Sequence, residues 1–146
     1  MPKKVIFICT GNSARSQMAE AFLRALGGDR YQADSGGKTA NGLHPLTVQV
    51  MSEIGIDISD QRSKTAHELF SQTEFDEAII VCRRAEDDCP TIAGTTRSVQ
   101  RWIFEDPVRA AGSDEEKLAA FREVRDQVEA RIKLYLAEDA EAARVH

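Results

Sequence analysis

The sequence predicts an α/β fold, a single domain over residues 1–146 with a central parallel sheet of about four strands and helices on both faces. Three observations carry this. Val5-Ile6-Phe7-Ile8 and the Ala, Ile and Val run ending at Val81 are short and continuously apolar, as strands buried on both faces of a parallel sheet are. Between such runs the apolar residues switch to helical spacing, as in Met18, Phe22, Ala25 and Leu26. At 146 residues the chain can bury one sizeable core, and it shows no internal repeat, linker or low-complexity block.

In order, the Val5–Ile8 strand leads through a tight loop into a helix from Ser16 to Leu26, which Gly27-Gly28-Asp29 stops. Tyr31 to Ser35 reads as a second strand ending at Gly36-Gly37, and Lys38 to Leu43 as a surface connection. His44-Pro45 opens a helix bearing Leu46, Val50, Met51 and Ile54, with Gly55 as its stop and His44 as a turn or cap residue. After Ile56 to Ser59 a short helix is expected from Ala66 to Phe70, with His67 on its surface. A strand from Glu77 to Val81 and a last strand from Val99 to Trp102 follow. Ser113-Asp114-Glu115-Glu116 is a capping box. It opens a long helix whose apolar face runs through Leu118, Phe121, Val124, Val128, Ile132 and Tyr135, and the tail from Glu138 reads as a frayed end.

Composition excludes several classes. A net charge of −5 argues against a nucleic-acid partner, and no apolar run approaches the ~20 residues of a membrane span. Three cysteines, Cys9, Cys82 and Cys89, are too few for a secreted disulfide framework and lie at no zinc-ligand spacing with His44, His67 or His146. The chain is read as cytoplasmic and monomeric, with no bound cofactor.

Cys9-Thr10-Gly11-Asn12-Ser13-Ala14-Arg15-Ser16 is the stretch that points to chemistry. It lies between a buried strand and a helix N-terminus, where loop N–H groups converge and peptide dipoles favour negative charge. Cys9, the first residue past the strand, sits at the bottom of that ring, a setting that favours the thiolate. Arg15 closes the ring with a planar cationic fork for two oxygens of a tetrahedral anion, and Ser16 can donate to the sulfur. A cysteine ending a strand and an arginine on a first helical turn are each ordinary. With the Gly-Asn-Ser loop, the strand and the helix all in place, they specify a thiolate that attacks the centre of a bound oxyanion.

Cys82 also directly follows a buried strand. A lone cysteine there is usually core, but reaction sites of open parallel sheets gather at the carboxyl ends of strands. A second thiol at that edge can resolve an adduct on Cys9, and Cys89 can take the disulfide onward. Disulfide geometry lets Cys82 bridge both partners in one arrangement only if all three cysteines cluster, and a redox-dependent rearrangement of the charged segment 83–88 is expected. Asp106, before Pro107, reads either as a turn starter or as the acid that protonates a leaving oxygen.

These residues, Cys9 to Glu20, Cys82 with Cys89-Pro90, and Asp106-Pro107, together resemble the thioredoxin-coupled arsenate reductases built on the low-molecular-weight tyrosine phosphatase fold, over nearly the whole chain. The resemblance implies a relay. Cys9 attacks arsenate held by the loop and Arg15 while Asp106 protonates the departing oxygen. Cys82 attacks the adduct and releases arsenite, and Cys89 forms a Cys82–Cys89 disulfide that thioredoxin or a related thiol carrier reduces. It also implies that Asn12 orders the loop and Ser16 stabilises the thiolate. Some members bind potassium through residues matching Asn12, Glu20 and Ser35 plus an aspartate. Lys64 stands in the aspartate's region here, and the expectation is that its ammonium replaces the ion. The alternative reading is a phosphatase using Cys9, Arg15 and Asp106 alone. Phosphatases of this fold usually place an aromatic after Asp-Pro, where this chain has Val108.

Overall fold

The computed structural model describes residues 2–81 and 96–145. Strand β1 (Lys3–Cys9) is followed by α1 (Arg15–Gly27), β2 (Tyr31–Gly37), α2 (Pro45–Ser52), α3 (Ala66–Gln72), β3 (Phe75–Ile80), β4 (Thr96–Arg101) and the long helix α4 (Asp114–Val145). The strands form one sheet in the order β2-β1-β3-β4, every pair parallel. Cys9 pairs with Gly37 and Ile8 with Ile80, so the nucleophile candidate stands at the carboxyl end of a central strand.

The apolar runs behave as their composition requires. Val5, Ile6, Phe7 and Ile8 are all fully buried, and since successive side chains of a strand point to opposite faces, both faces of the sheet are covered. Phe7 meets the Trp102 ring at 5.8 Å, and Trp102 meets Tyr135 of α4 edge-on at 5.5 Å. The capping box forms as read: Glu116 N donates to Ser113 Oγ and Ser113 N donates to Glu116 Oε1, both at 3.2 Å.

Two expectations change. Helix α4 does not end near Glu138 but continues to Val145. Asp139 holds that tail to the start of the sheet, accepting from Lys3 Nζ at 3.0 Å and from the Tyr31 hydroxyl. The second is the 38–43 connection, exposed at Lys38, Thr39, Asn41 and Gly42 as a surface segment should be, yet, with His44 after it, bonded along its length to the loop after β1.

Candidate active site

The loop from Cys9 to Ala14 is shaped from outside. Lys38 N donates to Cys9 O (3.2 Å), Thr39 N to Thr10 O (3.1 Å), Asn41 N to Gly11 O (3.0 Å) and His44 N to Ser13 O (3.1 Å). Thr47 Oγ1 adds a second bond to Ser13 O at 2.9 Å, and Gln17 Nε2 takes Asn12 O at 3.1 Å. In a trans peptide the C=O and the following N–H point in opposite directions. Carbonyls drawn outward by the 38–44 strap therefore turn the next N–H groups inward, and Asn12 N does donate to Cys9 Sγ at 3.2 Å. Helix α1 starts at the same place with no side-chain cap and no acidic residue in its first turn, which leaves its positive end to face an anion.

Among the described residues Asn12 is the non-glycine one in the left-handed region, at φ 51°. All four hydrogen-bonding positions of its amide are used: Nδ2 donates to Ser16 Oγ (2.8 Å) and Ser35 Oγ (3.0 Å), and Oδ1 accepts from Gln17 Nε2 (2.9 Å) and Lys64 N (2.7 Å). Ser16 Oγ lies 2.8 Å from Cys9 Sγ. Because Ser16 Oγ already accepts from Asn12, its own proton is free to point at the sulfur.

Arg15 is buried, its Nη1 donating to Phe104 O at 3.3 Å and its Nη2 standing 3.5 Å from Asp106 Oδ2. Asp106 starts the turn and also stands beside Arg15. Oδ1 accepts from Val108 N at 3.1 Å and starts the turn, while Oδ2 faces Arg15 at the rim of the cradle. A loop of inward N–H groups around a cysteine, an arginine fork and a half-exposed carboxyl can hold a tetrahedral oxyanion, attack it and protonate what leaves.

Residues 4–144 match the family described as low molecular weight phosphotyrosine protein phosphatase. The chain belongs to that family. Its relatives include an arsenate reductase of Halalkalibacterium halodurans, 46% identical over 136 residues that span 92% of this chain and 96% of the relative. An arsenate reductase of Bacillus subtilis is 42% identical over 135 residues, spanning 91% and 95%. Among solved structures, an arsenate reductase in the phosphate binding state superposes with a TM-score of 0.77 at 34% identity, covering 93% of this chain and 98% of that one.

In this member of the low molecular weight phosphotyrosine protein phosphatase family the group behind the loop is ionic. Glu20, 1% exposed, accepts from Ser35 Oγ at 2.6 Å, pairs with Arg24 Nη1 at 2.8 Å, and faces Lys64 Nζ at 3.6 Å. Lys64 Nζ also donates to Arg62 O at 2.9 Å. Nearby Asp34 has its carboxyl pushed above the ordinary range by burial, against the lowering influence of Lys64 and Arg24. Asn12, Glu20, Ser35 and Lys64, separated in sequence, thus meet behind the loop. His44 caps α2, its Nδ1 accepting from Leu46 N at 3.1 Å, and His67 is exposed.

Cys82, Cys89 and segment 83–88 lie outside the described residues. The residue before Cys82, Val81, is buried and its N–H donates to Ile8 O at 2.9 Å, one position from Cys9 along β1. Sequence reasoning missed the strap, Thr47, Gln17 and Phe104. The available signal was Gly36-Gly37. A Cβ on Gly37 would lie 2.6 Å from Thr39 O, 2.7 Å from Thr10 O and 2.9 Å from Asn12 N, so strap and loop can close only over glycine.

Proposed function

We propose that the protein reduces arsenate to arsenite with three thiols, and that thioredoxin or a related dithiol carrier is the reductant. The observation that carries this is the cradle: a cysteine sulfur receiving Asn12 N and Ser16 Oγ, under a loop whose carbonyls all point away, with Arg15 and Asp106 at its mouth. Cys9 attacks arsenic, forming an S–As bond as one oxygen leaves as water with a proton from Asp106. The Cys82 thiolate then attacks Cys9 Sγ. The S–As bond breaks with its electron pair passing to arsenic, and arsenite departs with a Cys9–Cys82 disulfide left behind. Cys89 attacks Cys82, frees Cys9 and leaves a Cys82–Cys89 disulfide, which the carrier's two thiols reduce. The balance is two electrons per arsenate, and such thiol chemistry suits a reducing cytoplasm.

Placement of Val81 beside Ile8 supports the second thiol's role, because Cys82 is its neighbour in the chain. Names of the relatives support the substrate. The family match favours a second reading, hydrolysis of phosphomonoesters through a Cys9 phosphoenzyme. Against it as the main activity stands Val108, 43% exposed directly after Asp106-Pro107, where no ring is offered to an aryl phosphate. The test is arsenate-dependent NADPH oxidation with thioredoxin and its reductase. Cys82→Ser and Cys89→Ser are each expected to abolish turnover beyond a single equivalent; turnover like the parent's in both would install the phosphatase reading.

Lys64 fills the role of a cation behind the loop. Parent activity is therefore expected to be the same in potassium and sodium buffers, while Lys64→Asp makes it rise with potassium. A clear potassium response of the parent would refute the assignment.

A further inference from the structure

We propose that Gln17 and Gln61 are positioning residues for Cys9, the outer members of a one-directional chain of side-chain hydrogen bonds that ends on the sulfur. The proposal rests on the reading of Cys9 as the nucleophile. Gln61 Nε2 donates to Gln17 Oε1 at 2.8 Å, Gln17 Nε2 donates to Asn12 Oδ1 at 2.9 Å, and Asn12 Nδ2 donates to Ser16 Oγ at 2.8 Å. Ser16 Oγ stands 2.8 Å from Cys9 Sγ, and among the described residues its one proton has no other acceptor. Every link donates toward the sulfur.

Each amide in the chain has its orientation fixed by more than the chain itself. Gln17 is fully buried, and the two hydrogens of Nε2 are shared among Asn12 O, Asn12 Oδ1 and Arg62 O, all within 3.1 Å. Reversing it would set its carbonyl against three oxygens. Gln61 Nε2 also reaches Gln17 O at 3.2 Å. Gln17 therefore does two things for Asn12: it holds the backbone carbonyl of a residue in the left-handed region, and it polarises the side-chain amide that supplies Ser16. Hydrogen bonds in series within a buried site strengthen one another. A chain that terminates on an anion stabilises the thiolate more than the thiol, so its loss is felt where the sulfur must ionise. The outer end is accessible: Gln61 lines a surface hollow of about 330 Å³ with Arg24, Asp57 and Asp60, so Gln61 can be changed without opening the core.

The experiment uses the full chain carrying Cys82→Ser and Cys89→Ser, in which Cys9 is the single thiol, and adds Gln61→Leu or Gln17→Leu. Alkylation of Cys9 by iodoacetamide is timed by mass spectrometry at pH 6 and at pH 9, with circular dichroism melts to establish folding. Expected is a fall in the pH 6 to pH 9 rate ratio of about 3-fold for Gln61→Leu and about 10-fold for Gln17→Leu, the size of one weakened charge-assisted hydrogen bond. Gln61→Asn, which keeps a donor, should recover part of the ratio. A merely structural role would change both rates together and leave the ratio alone. An unchanged ratio in folded Gln17→Leu and Gln61→Leu overturns the proposal; if Gln17→Leu fails to fold, Gln61→Leu decides. A parent protein with no fast reaction at pH 6 would instead remove the nucleophile reading, an outcome separable from failure of the relay.

Discussion

The two ends of the sheet solve the burial of polar groups in opposite ways. At the carboxyl end the loop carbonyls and the Asn12 amide are tied from behind, so that loop N–H groups turn toward Cys9 Sγ while Arg15 stands at the rim beside Asp106. At the amino end the groups consume one another. Glu77, 3% exposed, accepts from the Tyr135 hydroxyl at 2.6 Å, Gln100 Nε2 at 2.7 Å and Ser98 Oγ at 3.0 Å, and pairs with Lys3 Nζ at 3.1 Å. Lys3 passes on to Asp139, which also accepts from Tyr31. A closed network has nothing to offer a ligand and serves to fasten α4 to the sheet. The ties behind the loop instead hold N–H donors toward the sulfur, at a helix N-terminus that favours an anion. Substitutions at the first end should therefore cost activity, and at the second stability.

Cys9→Ser is expected to lower arsenate turnover by about 10⁴-fold or more with the melting temperature nearly unchanged, since the smaller hydroxyl can keep the bonds to Asn12 N and Ser16 Oγ but is a far weaker nucleophile. Arg15→Lys loses the planar fork and should cost about 10²-fold in kcat/KM. At the other end Glu77→Leu should cost about 3–5 kcal/mol in urea unfolding, because Tyr135, Gln100, Ser98 and Lys3 are left without their common acceptor, and leave kcat within about twofold of the parent. A large kcat loss in folded Glu77→Leu would show that the two ends are not separable.

Gly37→Ala should blur the division. Its Cβ would press on Thr10 O, Thr39 O and Asn12 N, all backbone, so either the strap or the loop must move. Overpacking of this kind costs about 1–3 kcal/mol, and displacing Asn12 N from the sulfur should take about tenfold or more from kcat. Unfolding curves and initial rates on one preparation check both.

How far the sequence could be read follows the same division. The strand, loop and helix around Cys9 were legible because they are local: an apolar run, a Gly-Asn-Ser turn and helical spacing all lie between Val5 and Leu26. The Ser113 box was legible for the same reason. The strap was not, because it acts through backbone N–H groups that any sequence carries, and its polar composition says only that it is exposed. Glu77 was passed over inside a run read by its Ala, Ile and Val residues, since its partners at 3, 98, 100 and 135 are brought to it by the fold alone. The tail of α4 reads as frayed by composition, and Asp139 becomes an anchor only when Lys3 and Tyr31 arrive from the far end of the chain. Lys64 and Glu20 were brought together by a resemblance, not by spacing.

The smallest expected effect is on the acid side of the stability curve, and it isolates the closed network. Burial would raise the Glu77 carboxyl, but hydrogen bonds from Tyr135, Gln100 and Lys3 and the Lys3 charge outweigh it and hold the group below its ordinary value of 4.5. Asp139 is likewise held below 3.8, its burial outweighed by Tyr31 and Lys3. In acid the unfolded chain therefore binds these protons first, so stability is fully present above about pH 4.5 and is lost as pH falls through the lower folded values. Lys3, raised above 10.5 because its bonds to Asp139 and Glu77 overcome desolvation, contributes below that value and stops contributing only in strong base. Asp34 works the other way, since burial has raised it: protonation relieves a cost, and its contribution partly offsets the loss in acid. Calorimetric melting temperatures between about pH 5 and about pH 3 should accordingly fall less steeply in Glu77→Gln than in the parent, because the amide has no proton to gain. Parallel acid limbs in the two proteins would mean that the pH dependence arises elsewhere, and that the amino end of the sheet is held by packing of Tyr135 and Trp102, not by its charges.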